Sequence, residues 1–186
     1  MSAPPNNPAE RAARRRRRTV DETRLVERFT RLAPQRDALK LALRPFSNEN
    51  GNFDRARWAA AFDSRDPASI RDVKAVTGLY EGLVNHLVEM LHIAARLRGL
   101  EVSKREERPT GPELFAAARE DNGLTSHQVT VLKRLYAMRN ELQHASPGVA
   151  AEDVYEEIVL LSKTLARFAK SYLEWLERNG LSLIDR

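Results

Sequence analysis

Residues 67–98, PASIRDVKAVTGLYEGLVNHLVEMLHIAARLR, carry the longest periodic pattern in the chain. Their apolar side chains recur every three or four residues, which is the spacing of one face of an α-helix. Two such stripes run side by side: Ile70, Val73, Thr77, Tyr80, Val84, Leu87, Leu91 and Ala94, then Val76, Leu79, Leu83, Met90, Ile93 and Leu97. Adjoining stripes predict a long helix with a wide buried face, as in a helix bundle, and Gly99 is expected to end it.

The rest of the chain predicts further helices and no strands. Residues 21–43 are expected to be helical with an interruption near Pro34, and residues 44–52 to form a loop. Shorter helices are predicted over 53–62 (capped by Asp54 or Asn52), over 112–121, from Thr125 or Ser126 to about Gln143, and over about 150–179. The last helix carries a stripe of its own: Val154, Ile158, Leu161, Leu165, Phe168, Tyr172 and Trp175. The predicted fold class is all-α, a bundle of about four to five core helices with additional N-terminal helices.

The composition limits the classes of protein to be considered. The 186 residues are 42% hydrophobic and 31% charged, which is typical of a helical domain with a substantial core. The absence of cysteine excludes disulfides and thiolate catalysis and favours a reducing cytoplasm. No apolar run approaches the roughly 18 residues of a membrane span, and no signal-peptide core follows the basic start. The sequence therefore predicts a cytoplasmic protein without a membrane partner.

The net charge of +5 belongs to one segment. Residues 1–18 contain a single acid, Glu10, and six arginines: Arg11, Arg14, Arg15, Arg16, Arg17 and Arg18. The 25 basic and 25 acidic residues that remain cancel. The composition of this segment predicts a disordered tail. Such a tail either binds RNA, DNA or an acidic partner through salt-sensitive contacts, or is only a solvated extension.

A second unusual feature is the run Met138-Arg-Asn-Glu-Leu-Gln-His144. On a helical wheel Arg139 projects from an apolar face formed by Val129, Leu132, Leu135, Tyr136 and Leu142. Burying an unpaired guanidinium is costly, so a carboxylate, a second chain or a phosphate is expected to meet it. Because Pro147 and Gly148 follow, His144 is expected at the end of its helix. A cation and a titratable imidazole close together suggest phosphate chemistry.

The set Arg139-Asn140-x-x-x-His144 resembles the Rx4–6H motif of the HEPN superfamily, an arginine and a polar residue followed by a histidine near the end of a bundle helix. The resemblance covers residues 67–179, and residues 1–66 match no recognised family. It divides the chain into a basic tail (1–18), an N-terminal helical extension (19–66) and a HEPN-like bundle domain (67–186).

The resemblance implies a metal-independent endoribonuclease, because catalytic HEPN proteins cleave RNA and are often toxins or phage-defence effectors. It implies a homodimer whose motifs line one cleft, RNA as substrate, a neutralising antitoxin as a further partner, and no cofactor or metal. By position, Arg139 would bind the scissile phosphate, His144 would transfer protons to or from the ribose and the leaving oxygen, and Asn140 would orient His144 or bind the phosphate.

Other readings of the same residues stay open. The protein is alternatively a non-catalytic HEPN module that binds a nucleotide or a protein, or a helical protein that binds nucleic acid through residues 11–18. Arg139 is alternatively a structural ion-pair partner, and His144 a charge that complements the helix dipole. Candidate carboxylates for Arg139 begin the last helix: Glu152, Asp153, Glu156 and Glu157.

Two Glu-x-x-His pairs have the spacing used by di-metal carboxylate bundles: Glu89 with His92, and Glu141 with His144. Such a site needs both pairs to face the core. Helical-wheel positions place both pairs opposite the apolar residues, so a metal site is not expected. His86 lies at the edge of an apolar stripe and is expected to be packed, while His127 is expected at the surface.

Overall fold

The structure, a computed structural model, describes residues 8–100, 109–144 and 148–181. Within these ranges the chain forms helices and one isolated bridge between Ser47 and Phe53. The helices, in order, are α1 (Pro8–Ala42), a short 3-10 helix (Arg44–Phe46), α2 (Arg55–Phe62), α3 (Pro67–Arg98), α4 (Gly111–Glu120), α5 (Ser126–Gln143) and α6 (Ala151–Arg178). The predicted all-α class is confirmed, whereas the HEPN-like arrangement of the helices stays a prediction.

Helix α3 is the central element and has the predicted bounds. The Asp66 side chain accepts a hydrogen bond from the backbone N–H of Ser69 (2.9 Å) and begins the helix. Gly99 ends it in the left-handed conformation, at φ +67°. Both apolar stripes contribute buried residues, and α1, α2, α4 and α5 all pack on this helix. The buried Tyr80 hydroxyl donates to the backbone carbonyl of Leu135 (2.9 Å), which ties α3 to α5.

Helix α1 differs from the prediction in two ways. It runs through Pro34 without a break, because Leu25, Leu32 and Leu39 pack into the core on both sides of the proline. Proline has no backbone N–H, so the helix lacks one hydrogen bond at Pro34. The packing of the three leucines outweighs the loss of that bond. The helix also begins at Pro8, so the disorder predicted for residues 1–18 is wrong for residues 8–18; residues 1–7 lie outside the described ranges.

Helix α6 closes the bundle with the predicted stripe, all seven members of which are buried. Its Trp175 indole N–H donates to the backbone carbonyl of Asp121 (3.1 Å), and the ring lies directly against Gly123. At the other end of α6, the Trp58 indole N–H of α2 donates to the carbonyl of Ala151 (2.7 Å). These bonds satisfy the polar atoms of two buried tryptophans and fix α6 against α2 and the α4–α5 turn.

Candidate functional site

Arg139 lies on α5 at the boundary between core and surface. It is half-buried beside Met138, and its Nη1 donates to Asn140 Oδ1 at 2.7 Å. Its guanidinium carbon lies 5.9 Å from the centre of the Tyr136 ring, within reach of a cation–π contact. The Nε atom is buried and has no hydrogen-bond partner. An uncompensated donor of this kind calls for an acceptor from outside the described residues.

The carboxylates at the start of α6 do not neutralise Arg139. Glu157 accepts from Arg134 (Nε to Oε1, 3.0 Å), and Glu152 pairs with Arg55 (2.6 Å). No carboxylate within the described ranges forms an ion pair with Arg139. The alternative in which Arg139 serves as a structural ion-pair partner is therefore not realised in these ranges.

Arg139 instead lines a solvent-accessible cleft of about 560 Å³, within the size range of small-ligand sites. Its lining residues come from α1, α3, α5, the start of α4 and the two residues before α4. The residues that line it include Arg28 and Gln35 from α1, Gly82, Asn85, His86 and Glu89 from α3, and Tyr136 and Arg139 from α5. The Gln35 side-chain oxygen is buried without a hydrogen-bond partner, so the cleft presents a second unsatisfied polar atom.

His86 of α3 contacts α1 and is 2% exposed, which confirms that it is packed. Its Nε2 lies 2.6 Å from the backbone carbonyl oxygen of Arg28, and its Nδ1 lies 3.2 Å from Arg28 Nη1. Burial lowers the pKa of His86, and the charges of Arg28 and Arg31 add to this. The bond to the Arg28 carbonyl and the charge of Glu89 oppose the shift, but the net direction is downward. The ring is therefore neutral near pH 7.

The other two residues of the motif do not line this cleft. Asn140 is bonded to Arg139 rather than to His144. His144 is exposed and forms the C-cap of α5, so the predicted helix end is confirmed; residues 145–147 lie outside the described ranges. Five residues of helix rotate the chain by about 140° between Arg139 and His144. Within one chain the two side chains therefore leave the helix in different directions.

The arginine segment lies at the start of α1. Arg11 and Arg15 to Arg18 are exposed, and Arg18 pairs with Glu22 (3.0 Å). Asp21 pairs with Arg96 (2.6 Å) and Arg28 contacts His86, so α1 runs antiparallel to α3. The arginines of the segment precede Asp21 on α1, so they lie on the N-terminal side of the contact with Arg96. Residues 8–18 therefore form a helical basic arm. The Arg14 side chain is not among those that the structure describes.

The two Glu-x-x-His pairs do not come together in one cluster within the described ranges. Glu89 and His92 are half-buried on α3, and Glu141 and His144 are exposed at the end of α5. The described ranges contain no group of three histidine, cysteine or acidic side chains placed to hold a metal ion. They also contain no helix with the length and apolar content needed to span a membrane. His127 is exposed, as predicted.

Sequence reasoning did not find Arg28, Gln35 or Asn85 as members of the cleft. Each is a polar residue on an ordinary helix face, and only the antiparallel packing of α1 on α3 brings them to Arg139. Protein-family models, curated proteins and solved structures give no significant match to this chain. The HEPN resemblance therefore stays a prediction based on residues 139–144 and their helical context.

Proposed function

We propose that the chain is a metal-independent endoribonuclease of HEPN type that acts as a homodimer. The observation that carries the proposal is Arg139: its guanidinium lines an open cleft, its Nε is buried without a partner, and no described carboxylate neutralises it. A phosphate supplies the negative charge and the acceptor oxygens that this guanidinium lacks. The proposed setting, a toxin–antitoxin or phage-defence system with a neutralising antitoxin, rests on the resemblance alone.

The proposed reaction is transfer of the phosphate to the ribose 2′-oxygen. The 2′-OH attacks phosphorus, its proton passes to the His144 imidazole, and the bond from phosphorus to the 5′-oxygen breaks. Solvent water protonates the leaving 5′-oxygen and His144 returns its proton to solvent, which yields a 2′,3′-cyclic phosphate and a 5′-hydroxyl. Arg139 binds the non-bridging oxygens and stabilises the charge that develops on them. Asn140 holds the Arg139 guanidinium in orientation through the 2.7 Å bond between them.

The divergence of Arg139 and His144 within one chain favours a site shared between two copies. In a two-fold dimer, the His144 of one subunit reaches the cleft that contains Arg139 of the other. Mixing the inactive variants Arg139→Ala and His144→Ala then regenerates one intact site in each mixed dimer. A statistical mixture is expected to recover about a quarter of the wild-type sites. Recovery of no activity, together with a monomeric protein in solution, would contradict the shared site.

The primary test is cleavage of RNA in the presence of EDTA. Activity is expected to persist there and to disappear in Arg139→Ala and His144→Ala, while Lys133→Ala and His127→Gln, at exposed α5 positions, serve as matched controls. Circular dichroism checks that each variant keeps its helices. Loss of activity on chelation, or full activity in both motif variants, would refute the proposal.

A second candidate function is nucleic-acid binding through the basic arm, and the exposed helical arginines favour it. Under this reading, removal of residues 1–18 abolishes binding and no cleavage is seen. Under the nuclease proposal, catalysis persists with a weaker affinity for substrate. Binding through the arm also weakens steeply with salt, because each phosphate contact releases counterions.

A further inference from the structure

The cleft contains a second arginine that no motif predicted. Arg28 of α1 lines it together with Arg139, and it belongs to the 1–66 segment that matches no recognised family. Its side chain is half-buried and forms no ion pair with any described carboxylate. The described partner of its guanidinium is the ring of His86 (Nη1 to Nδ1, 3.2 Å).

The ring of His86 determines how Arg28 is held. A carbonyl oxygen only accepts, so the 2.6 Å contact requires Nε2 to carry the proton and donate to the Arg28 carbonyl. In the neutral ring, Nδ1 then has a free lone pair that accepts from Arg28 Nη1. One residue of α3 thus bonds both the backbone and the side chain of Arg28. This arrangement orients the guanidinium without neutralising it, because the partner is uncharged.

The charges around the cleft favour an anionic ligand. Arg28 of α1 and Arg139 of α5 both line it, and the only carboxylate among the described lining residues is Glu89. Both guanidinium groups are held by neutral groups, Arg28 by the imidazole and Arg139 by the amide of Asn140. Two arginines from different helices in one cleft match a ligand with more than one phosphate, as a nucleic-acid strand has.

We propose that Arg28 is a second phosphate-binding residue of the cleft, so that the RNA strand is held at two phosphates, one at Arg139 and one at Arg28. This inference rests on the proposed function for the identity of the strand. His86 is a positioning residue that acts through Arg28. The N-terminal helix is thereby part of the substrate site rather than only a support for the bundle.

The test uses the full-length protein and a short 2′-O-methyl oligoribonucleotide, which binds but lacks the nucleophile for cleavage. Arg28→Ala is expected to weaken binding by about 10- to 100-fold, the usual effect of a lost hydrogen bond to a charged group. The slope of log affinity against log salt is expected to fall by about 0.7, the value for one phosphate of a single strand. Arg31→Ala is the matched control, since Arg31 lies near His86 but does not line the cleft.

The positioning role of His86 has its own comparison. His86→Gln keeps one donor and one acceptor and is expected to bind the oligonucleotide nearly as well as wild type. His86→Leu removes both and is expected to bind as weakly as Arg28→Ala, with unchanged helix content. Equal binding by Arg28→Ala and Arg31→Ala, or no binding by the wild type, would overturn the inference. Binding that depends on Arg28 without any RNA cleavage would instead overturn the nuclease function and leave the phosphate site standing.

Discussion

Two glycines of α3 allow a direct test of whether the cleft lined by Arg28 and Arg139 binds RNA. Gly78 and Gly82 lie one turn apart on the same side of the helix, and a Cβ added at either position meets no atom within 4 Å. Gly82 lines the cleft, whereas Gly78 does not. The perturbation is therefore a matched pair, Gly82→Leu and Gly78→Leu.

The expected effect on stability is the same for both variants. Glycine in a helix interior is less favourable than leucine by about 0.7 kcal/mol, and both sites are exposed with φ in the ordinary helical range. Each substitution should raise the free energy of unfolding by about that amount, which corresponds to about 2 °C in Tm for a domain of this size. The RNA affinity should differ, because only the leucine at position 82 adds a side chain to the lining of the cleft. Crowding a filled site by a side chain of this size typically costs about 1–3 kcal/mol, or about 5- to 150-fold in affinity.

Thermal unfolding by circular dichroism measures the first effect, and fluorescence anisotropy with the 2′-O-methyl oligoribonucleotide measures the second. Gly82→Leu should be at least as stable as wild type and yet bind poorly, while Gly78→Leu should be stabilised and bind normally. If both variants bind RNA as the wild type does, the cleft is not the site. If both variants lose RNA affinity equally, filling of the cleft does not explain the loss, and the cleft is again not shown to be the site.

Two further predictions concern stability. Gly123→Ala should lower the free energy of unfolding by about 1–3 kcal/mol, because the new Cβ would lie 2.8 Å from the buried Trp175 ring. Gly78→Ala is its control, and equal urea midpoints for the two would contradict the packing argument. Stability should also fall as the pH drops below about 6.5, since burial lowers the pKa of His86 and the unfolded chain then binds the extra proton. This contribution is complete above the unfolded pKa and is lost as the pH falls toward the folded one. His86→Gln should reduce the change of Tm between about pH 7 and pH 5 relative to the exposed-site control His127→Gln. An unchanged dependence of Tm on pH would show that His86 is not its source.

The sequence by itself determined the helices that have strong periodicity and explicit end signals. The bounds of α3 follow from Asp66, Pro67 and Gly99, and those of α5 from Thr125 and the turn residues after His144. These features are local: the caps bond to the helix's own backbone, and the apolar stripe needs some core but not a particular one. The position of Arg139 beside apolar residues of its own helix could also be predicted, because a helical wheel requires no knowledge of the neighbouring helices.

Only the tertiary structure decided which side chains meet. Packing of Leu25, Leu32 and Leu39 carries α1 through Pro34, although the local rule for proline predicts a break. The same antiparallel packing of α1 on α3 brings Arg28 and His86 to the cleft that contains Arg139, from positions far apart in the chain. Helix periodicity specifies a face but not its partner, since many helices have compatible apolar faces. The direction and register of packing depend on the whole core, and the cleft exists only once they are set.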